Sequence, residues 1–478
     1  MDYNGKNETL ISFFFRVFRV FRAQLMKKLQ LSPIQKLLAG FVLLALLGAG
    51  LLALPIANAQ GEWQPFIDAL FMSTSAVTTT GLGVVSTGNY YNLFGQIIIL
   101  ALFQVGGLGY MTLLVFIIEL FGQSLSLEGG NLMEESLALP SRGEMRSFVK
   151  RVVIFTLLFE GMGALALLIY WLPEYSFGRA LYFSVFHSVS AFCTAGFALF
   201  ESGFVPHQNS WAFNIIINVI SIAGAIGFFV LSEAYTVLHK LWQKQPIRHF
   251  SMHSKLAILV TSALIFAGTT IYWMAEFDTA TTWSHQLLAA SFQIISAAST
   301  TGFNTVDLSS LQPVSQFVIA VLMFIGSPAG GTGGGIKSTT FGVLILLLWS
   351  ILRSHRDVTA FNRRLTNSTI LRSVSIALTA VLWLVFSLIV LSVTETPALS
   401  TAEVSVPFLT IVFEASSALG TVGLSTGLTP ELSTIGRLII TLSMMIGRVG
   451  PLAFAVSLFG KENRAILYRH PREEVFVG

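Results

Sequence analysis

Four short stretches of this sequence place the same small residues around a glycine. Aligned on Gly81, Gly196, Gly302 and Gly423, each has Phe ten residues before, Ser six before, Ala five before, Thr two before, and Leu or Phe directly after. Each unit therefore reads F-x3-S-A-x2-T-x-G-[LF]. What this pattern offers is backbone oxygen. The residues ahead of each glycine can form a short helix entering from outside, whose negative C-terminal end points inward and favours a cation. Glycine then lets the chain turn so that successive carbonyls face one axis. A ring of such carbonyls can replace the water shell of a dehydrated cation. The residues expected to supply them are Thr79, Thr80 and Gly81; Thr194, Ala195 and Gly196; Thr300, Thr301 and Gly302; and Thr421, Val422 and Gly423. The plainer reading is small residues for close helix packing, but four matches at five positions weigh against it.

Two further features could act on an ion. Between 326 and 335 stand six glycines, including Gly330, Gly331, Gly333, Gly334 and Gly335, with Thr332 among them and Lys337 just beyond. Glycine costs a helix about 1 kcal/mol per position and proline about 3, so the segment is expected to be a loop at membrane depth. A packing kink is the alternative. It is not a phosphate loop: G-x4-G-K-[ST] needs Lys at 336, where Ile336 stands. Arg448 interrupts the last apolar run. An arginine inside a bilayer costs from about 2.5 to over 10 kcal/mol unless paired or hydrated, so it is expected to face the pore or a partner group, or to act as a structural clamp.

The elements that position these residues follow from composition. Of 478 residues, 54% are hydrophobic and 11% charged, with mean hydropathy +0.73; soluble chains carry roughly 25% charged residues. A soluble enzyme is excluded and a polytopic membrane protein is expected. The net charge of +4 encodes orientation rather than nucleic-acid binding. Eight apolar spans group in pairs: 37 to 57 with 93 to 118, 152 to 173 with 211 to 232, 256 to 275 with 314 to 350, and 373 to 394 with 433 to 459. One glycine-centred stretch lies inside each pair as a re-entrant segment. With both termini and the inter-pair links cytoplasmic, 24 of 28 Lys and Arg lie inside, while eleven acids lie outside or in the re-entrant stretches. The positive-inside rule is thus obeyed.

The expected fold is all-α: four parallel span, pore-loop, span repeats, eight transmembrane helices around a central pseudo-fourfold pore. The repeats cover 33–121, 122–240, 241–352 and 353–460, with the interrupted helix at 326–340. They are flanked by a basic segment, 1–32, and a tail, 461–478. Phe13 to Leu31 reads as an interfacial amphipathic helix, and the first span as its own insertion signal. The single Cys193 excludes an intrachain disulfide and is read as an incidental small residue. Glu160 and Glu233 are read as satisfied interior or interfacial groups. An intramembrane enzyme using His187 with Ser188 or Ser190, or Glu414, is the rival from another class, but no H-E-x-x-H or G-x-S-x-G element accompanies them.

The four glycines, the glycine-rich break in the third unit and Arg448 in the fourth occur in the order seen in the Trk/Ktr/HKT superfamily, which the chain resembles from 33 to 478. Trk members carry two extra N-terminal spans that the 36 residues before the first span cannot supply, so the resemblance is to the Ktr branch. It implies potassium uptake through a filter of the four triplets, with K+ at their carbonyls. It makes the glycine-rich segment with Lys337 an intramembrane gating loop and Arg448 its neighbour, a charge hindering cation passage. Sodium-preferring plant relatives often carry serine at the first filter glycine; Gly81 favours potassium, and a sodium-selective or sodium-coupled translocator is the alternative. The resemblance also implies no enzyme activity, no cofactor in this chain, and a homodimer in the bacterial plasma membrane. It further implies a cytoplasmic ring of nucleotide-binding RCK domains, and a tail, Tyr468 to Gly478, at the dimer interface.

Overall fold

The computed structural model describes residues 33–109, 142–245, 250–279, 282–399 and 406–459. The amphipathic segment expected at Phe13 to Leu31, the end of the span drawn to 118, and the tail from 461 lie outside the described residues. The described chain is helical apart from short 3-10 turns, an isolated bridge between Asn58 and Tyr91, and a two-residue hairpin, β1 (Thr359–Ala360) with β2 (Arg363–Arg364), an exception to the all-α expectation.

Each unit opens with a long helix: α1 (Pro33–Leu52), α4 (Arg142–Trp171), α8 (Met252–Ala275) and α12 (Asn367–Leu399). These hold the four segments long and apolar enough to cross a membrane singly. Leu43, Leu46, Leu47 and Leu51 of α1 are exposed on its outer face, as are Leu378, Leu382 and Ile389 of α12. Water would penalise such a surface, whereas hydrocarbon solvates it and requires helices whose backbone bonds are internal. A multi-pass membrane protein follows.

Next come the helices that the sequence reading expects to be pore helices, a label kept for them below: α2 (Phe66–Val77), α5 (Phe177–Phe192), α9 (Trp283–Ala298) and α13 (Phe408–Gly420). Their C-terminal halves are buried. Each unit then has a second helix: α3 (Leu93–Leu108), α6 (Trp211–Ala225), α10 (Pro313–Ile325) and α14 (Thr434–Val449). Asn92, Ser210 and Ser433 cap α3, α6 and α14 with side-chain oxygens, and α10 starts at a proline, whose missing N–H costs nothing there.

These second helices correct the sequence reading, which drew the spans 211–232 and 433–459 unbroken. Each helix is only 13 to 16 residues long. All four stop at a glycine in the left-handed region or beside it: Gly109 (φ +74°), Gly227 (+102°), Gly326 (+73°) and Gly450 (+100°). Beyond the stop, α7 (Phe228–Trp242) leaves α6 at 102°, and α15 (Pro451–Phe459) leaves α14 at 101°. In the third unit a loop intervenes before α11 (Ser338–Leu352). A positive φ is open to glycine at little cost and unfavourable for other residues, so one glycine per unit suffices to turn the chain.

The units close on one another in cyclic order. The second helix of each packs on the pore helix of the next: α3 on α5, α6 on α9, α10 on α13, and α14 back on α2. Buried phenylalanines fill the interior, Phe71, Phe186, Phe292 and Phe413 being the repeat position ten before each glycine. An ion pair between Asp68, in the first turn of α2, and Arg437 of α14 joins units one and four.

Candidate functional site

Every pore helix ends in the same closure. In unit one Thr79 N donates to Ala76 O (3.0 Å) and Thr80 N to Ser75 O (2.8 Å). The pairs Thr194 to Ala191 and Ala195 to Ser190, Thr300 to Ala297 and Thr301 to Ser296, and Thr421 to Ala418 and Val422 to Ser417 repeat it at 2.8 to 3.1 Å. This is the Schellman pattern. Its left-handed residue is usually glycine, yet here it is threonine, at φ +52°, +51°, +57° and +49°. A left-handed L-residue costs about 1–2 kcal/mol, and such strain persists only where surrounding structure fixes it.

The glycines that follow also have positive φ, at +91°, +68°, +85° and +99°. They stand against one another in a closed ring. A Cβ on Gly81 would lie 2.5 Å from Ala195 O, and one on Gly196 2.8 Å from Thr301 O. One on Gly302 would strike Val422 O, and one on Gly423 would strike Thr80 O. The carbonyl before each glycine therefore abuts the glycine of a neighbouring unit, and the order is one, two, three, four and back to one. The twelve residues expected at the carbonyl site are brought together. The side chain before each glycine points back rather than inward in two units: Thr80 Oγ1 pairs with Thr78 Oγ1 and Thr301 Oγ1 with Ser299 Oγ, both at 2.7 Å.

The glycine-rich loop from Gly326 to Lys337 sits against the threonines of this ring. Thr332 Oγ1 donates to Phe192 O (3.0 Å), and Thr194 Oγ1 lies 3.2 Å from Thr332 Oγ1. Gly334 N donates to Thr300 Oγ1 (3.2 Å). The Thr79 and Thr421 hydroxyls have no partner among the described residues. The loop's backbone is tied down by Thr332 N to Gly224 O (3.1 Å) and by Phe228 N to Gly330 O (2.9 Å). A Cβ on Gly331 would run into the carbonyls of Ala225 and Gly224, while one on Gly334 would meet Thr421 Oγ1. Gly330 (+87°), Gly335 (+81°) and Lys337 (+88°) take the loop's turns, and Lys337 Nζ reaches back to Gly333 O at 2.5 Å.

Arg448, the penultimate residue of its helix, is the hub. Its Nη1 donates to Thr332 O, and its Nη2 donates to Gly106 O and, at 3.2 Å, to Gly107 O. The buried charge is solvated by carbonyls from units one and three, as the cost of an unpaired arginine at this depth requires. Nearby, Gln104 Nε2 donates to Glu160 Oε2 (3.2 Å), and Cys193 Sγ lies 3.2 Å from Gln104 Oε1 and 3.8 Å from Glu160 Oε1. Glu160 is thus a hydrogen-bonded interior group, and Cys193 has polar contacts that the incidental reading did not foresee. Glu233 accepts from Ser251 N and both Ser251 and Ser254 hydroxyls, holding the start of α8. His187 is enclosed by aromatic rings, with Leu199 N donating to its Nε2. Among the described residues no group of three His, Cys, Asp or Glu gathers to hold a resident metal.

Four pore helices closing a carbonyl ring, within lipid-facing helices, define a membrane protein of the cation-translocating class. Residues 34–463 match the TrkH family of cation transport proteins, and the chain belongs to that family. It is 36% identical to the Ktr system potassium uptake protein B of Bacillus subtilis, over 95% of this chain and 99% of that one. It is also 36% identical to the protein of the same name in Vibrio alginolyticus, over 92% and 94%. With the potassium/sodium uptake protein NtpJ of Enterococcus hirae it shares 33% identity over 94% and 98%. The solved potassium transporter TrkH of Vibrio parahaemolyticus has the same fold, at TM-score 0.66 and 19% identity, covering 88% of this chain and 84% of that one.

Proposed function

We propose that this chain is the membrane subunit of a potassium uptake system, and that K+ sheds water at the ring formed by Gly81, Gly196, Gly302 and Gly423 and the residues before them. The observation that carries this reading is the closed cycle in which each glycine abuts the carbonyl that precedes the next unit's glycine. Backbone carbonyls in such a ring compensate a dehydrated monovalent cation. The driving force is the membrane potential, about 2.3 kcal/mol per charge per 100 mV. In this reading the four units are parallel repeats around the pore, in eight crossings with the second of each pair broken. The loop around Thr332 is the gate, seated against the ring, and Arg448 both anchors it and repels cations.

The names of the Bacillus and Vibrio relatives support potassium as cargo. The Enterococcus relative, named for potassium and sodium, favours a second reading in which sodium also passes. We further infer a homodimer in the bacterial plasma membrane with both termini cytoplasmic. A separate ring of nucleotide-binding domains docks on the basic cytoplasmic links, and this chain itself needs no cofactor. Expression in bacteria lacking their own potassium uptake tests the reading. Growth rescued at low potassium, with Rb+ uptake that sodium does not compete for, supports it; rescue accompanied by Na+ entry that competes with Rb+ favours the second reading.

A further inference from the structure

The pore-helix serines six residues before each glycine do not all make the same bond. Ser75 and Ser417 accept from the backbone N–H of Gly81 and Gly423, each at 3.0 Å. Ser190 and Ser296 instead donate to the carbonyls of Phe197 (2.9 Å) and Phe303 (2.7 Å), the residues just beyond the glycine. All four are buried. The sorting follows the sequence: leucine follows the glycine in units one and four, phenylalanine in units two and three. The glycine φ values divide likewise, +91° and +99° against +68° and +85°. Phe303 is gripped by Phe204, with ring centroids 4.6 Å apart, and Phe197 stacks on Phe103 at 6.0 Å.

Further up the pore helices, the residue nine before the glycine pins the outgoing strand in the same units. His187 Nε2 accepts from Leu199 N (3.1 Å) while its Nδ1 meets Phe183 O (2.8 Å), so the ring is the Nδ1–H tautomer. The Gln293 oxygen accepts from Thr305 N (2.7 Å) and Val306 N (3.3 Å). In unit four Glu414 accepts from the Thr429 hydroxyl, six residues past the glycine, and in unit one the position is the apolar Met72. Units two and three thus have their outer strands held by both serine and a longer polar side chain.

We propose that Ser190 and Ser296 are positioning residues that set cation affinity by drawing the outermost carbonyls of units two and three back against their pore helices. The carbonyls of Leu82 and Leu424, at which no hydrogen bond is directed among the described residues, remain free to meet an incoming ion. A carbonyl already accepting from a hydroxyl is a poorer cation ligand in both direction and charge. The outer edge of the filter is therefore two-sided rather than fourfold, and the cation keeps water on the side of units two and three. The inference rests on the carbonyl-filter reading above.

The test is equilibrium Rb+ and Na+ binding to the full-length protein in lipid nanodiscs. Ser190→Ala with Ser296→Ala frees two carbonyls, so Rb+ should bind about fivefold tighter, the factor that one ordinary hydrogen bond is worth. Uptake should then show a lower KM and a lower maximal rate. Ser75→Ala with Ser417→Ala should weaken Rb+ binding by a similar factor, because it leaves two glycine N–H groups unheld. Ser190→Cys, which keeps the volume and donates weakly, should move in the same direction as the alanine variant. Weaker or unchanged Rb+ binding in the 190 and 296 variants overturns the proposal. Gly302→Ser is measured alongside: if it disturbs Rb+ binding while the serine variants do nothing, only this inference fails. If Gly302→Ser also leaves Rb+ binding intact, the filter reading itself falls.

Discussion

The Arg448 guanidinium, carried by the second helix of unit four, donates to the carbonyl of Thr332 in the loop of unit three, and with its other nitrogen to carbonyls at the end of the second helix of unit one. One side chain thus fastens the loop against the carbonyl ring. A hydrogen bond from a charged donor contributes about 1.5–3 kcal/mol, so Arg448→Gln should shift the balance between a seated and an open loop roughly ten- to hundredfold. The expected outcome is faster basal Rb+ flux in proteoliposomes, with selectivity over Na+ kept. Slower flux with a stable fold would show that Arg448 assists rather than blocks passage.

Two glycines separate crowding from strain. Gly302→Ala places a Cβ against the backbone of Val422 and should abolish Rb+ uptake even where protein still reaches the membrane. Gly330→Ala meets no atom within 4 Å, although its φ of +87° is unfavourable for alanine by about 1 kcal/mol. That variant should fold, with uptake changed only a few-fold. Surface expression and uptake kinetics of the pair check this; equal loss in both would mean that strain rather than ring geometry dominates.

The partly exposed pair of Asp68 and Arg437 ties the first turn of a pore helix to the helix that closes the cycle of units. Partial exposure limits such a pair to about 1 kcal/mol. Asp68→Asn should therefore lower the melting temperature by only a few degrees, and a double-mutant cycle with Arg437→Gln should recover a coupling that shrinks in high salt. An absent coupling would show that Arg437 acts through Pro430 O instead.

His207, in the outer turn Val205–His207, has its Nδ1 3.2 Å from the Tyr170 hydroxyl and its ring against Phe213. Burial lowers its pKa below the usual histidine value, with Glu174 opposing the shift in part. The unfolded chain then binds the proton more readily than the folded one. The favourable neutral state is fully populated above about pH 6.5, and stability falls as pH drops below that value. His207→Gln should flatten this part of the thermal-stability profile between pH 7 and 5. An unchanged slope would assign the acid sensitivity to other groups.

Much of this site was legible because its chemistry is repetitive. The four glycines, their threonines and the break at 326–335 recur or cluster strongly enough to stand out from an apolar background, and Arg448 is conspicuous for its cost in lipid. The turns at Gly109, Gly227 and Gly450 were not legible, because a single glycine in an apolar run costs a helix only about 1 kcal/mol and is common where helices pack closely. A signal was present nonetheless: Gly106 and Gly109, Gly224 and Gly227, and Gly447 and Gly450 share one spacing, with Met323 and Gly326 completing the set. The two bonding modes of the pore-helix serines lay beyond pattern reading, because they depend on rotamers and on whether phenylalanine or leucine packs beside the glycine.

The central claim, that four glycine-centred carbonyls select the cation, is tested most directly by flux into liposomes containing this chain alone. Rb+ and Na+ uptake would be compared for the parent protein, Gly81→Ser and Gly302→Ser. The account predicts Rb+ flux well above Na+ flux in the parent, a loss of that preference in Gly81→Ser, and Rb+ flux lost in Gly302→Ser. A cation preference unchanged by either substitution would contradict it.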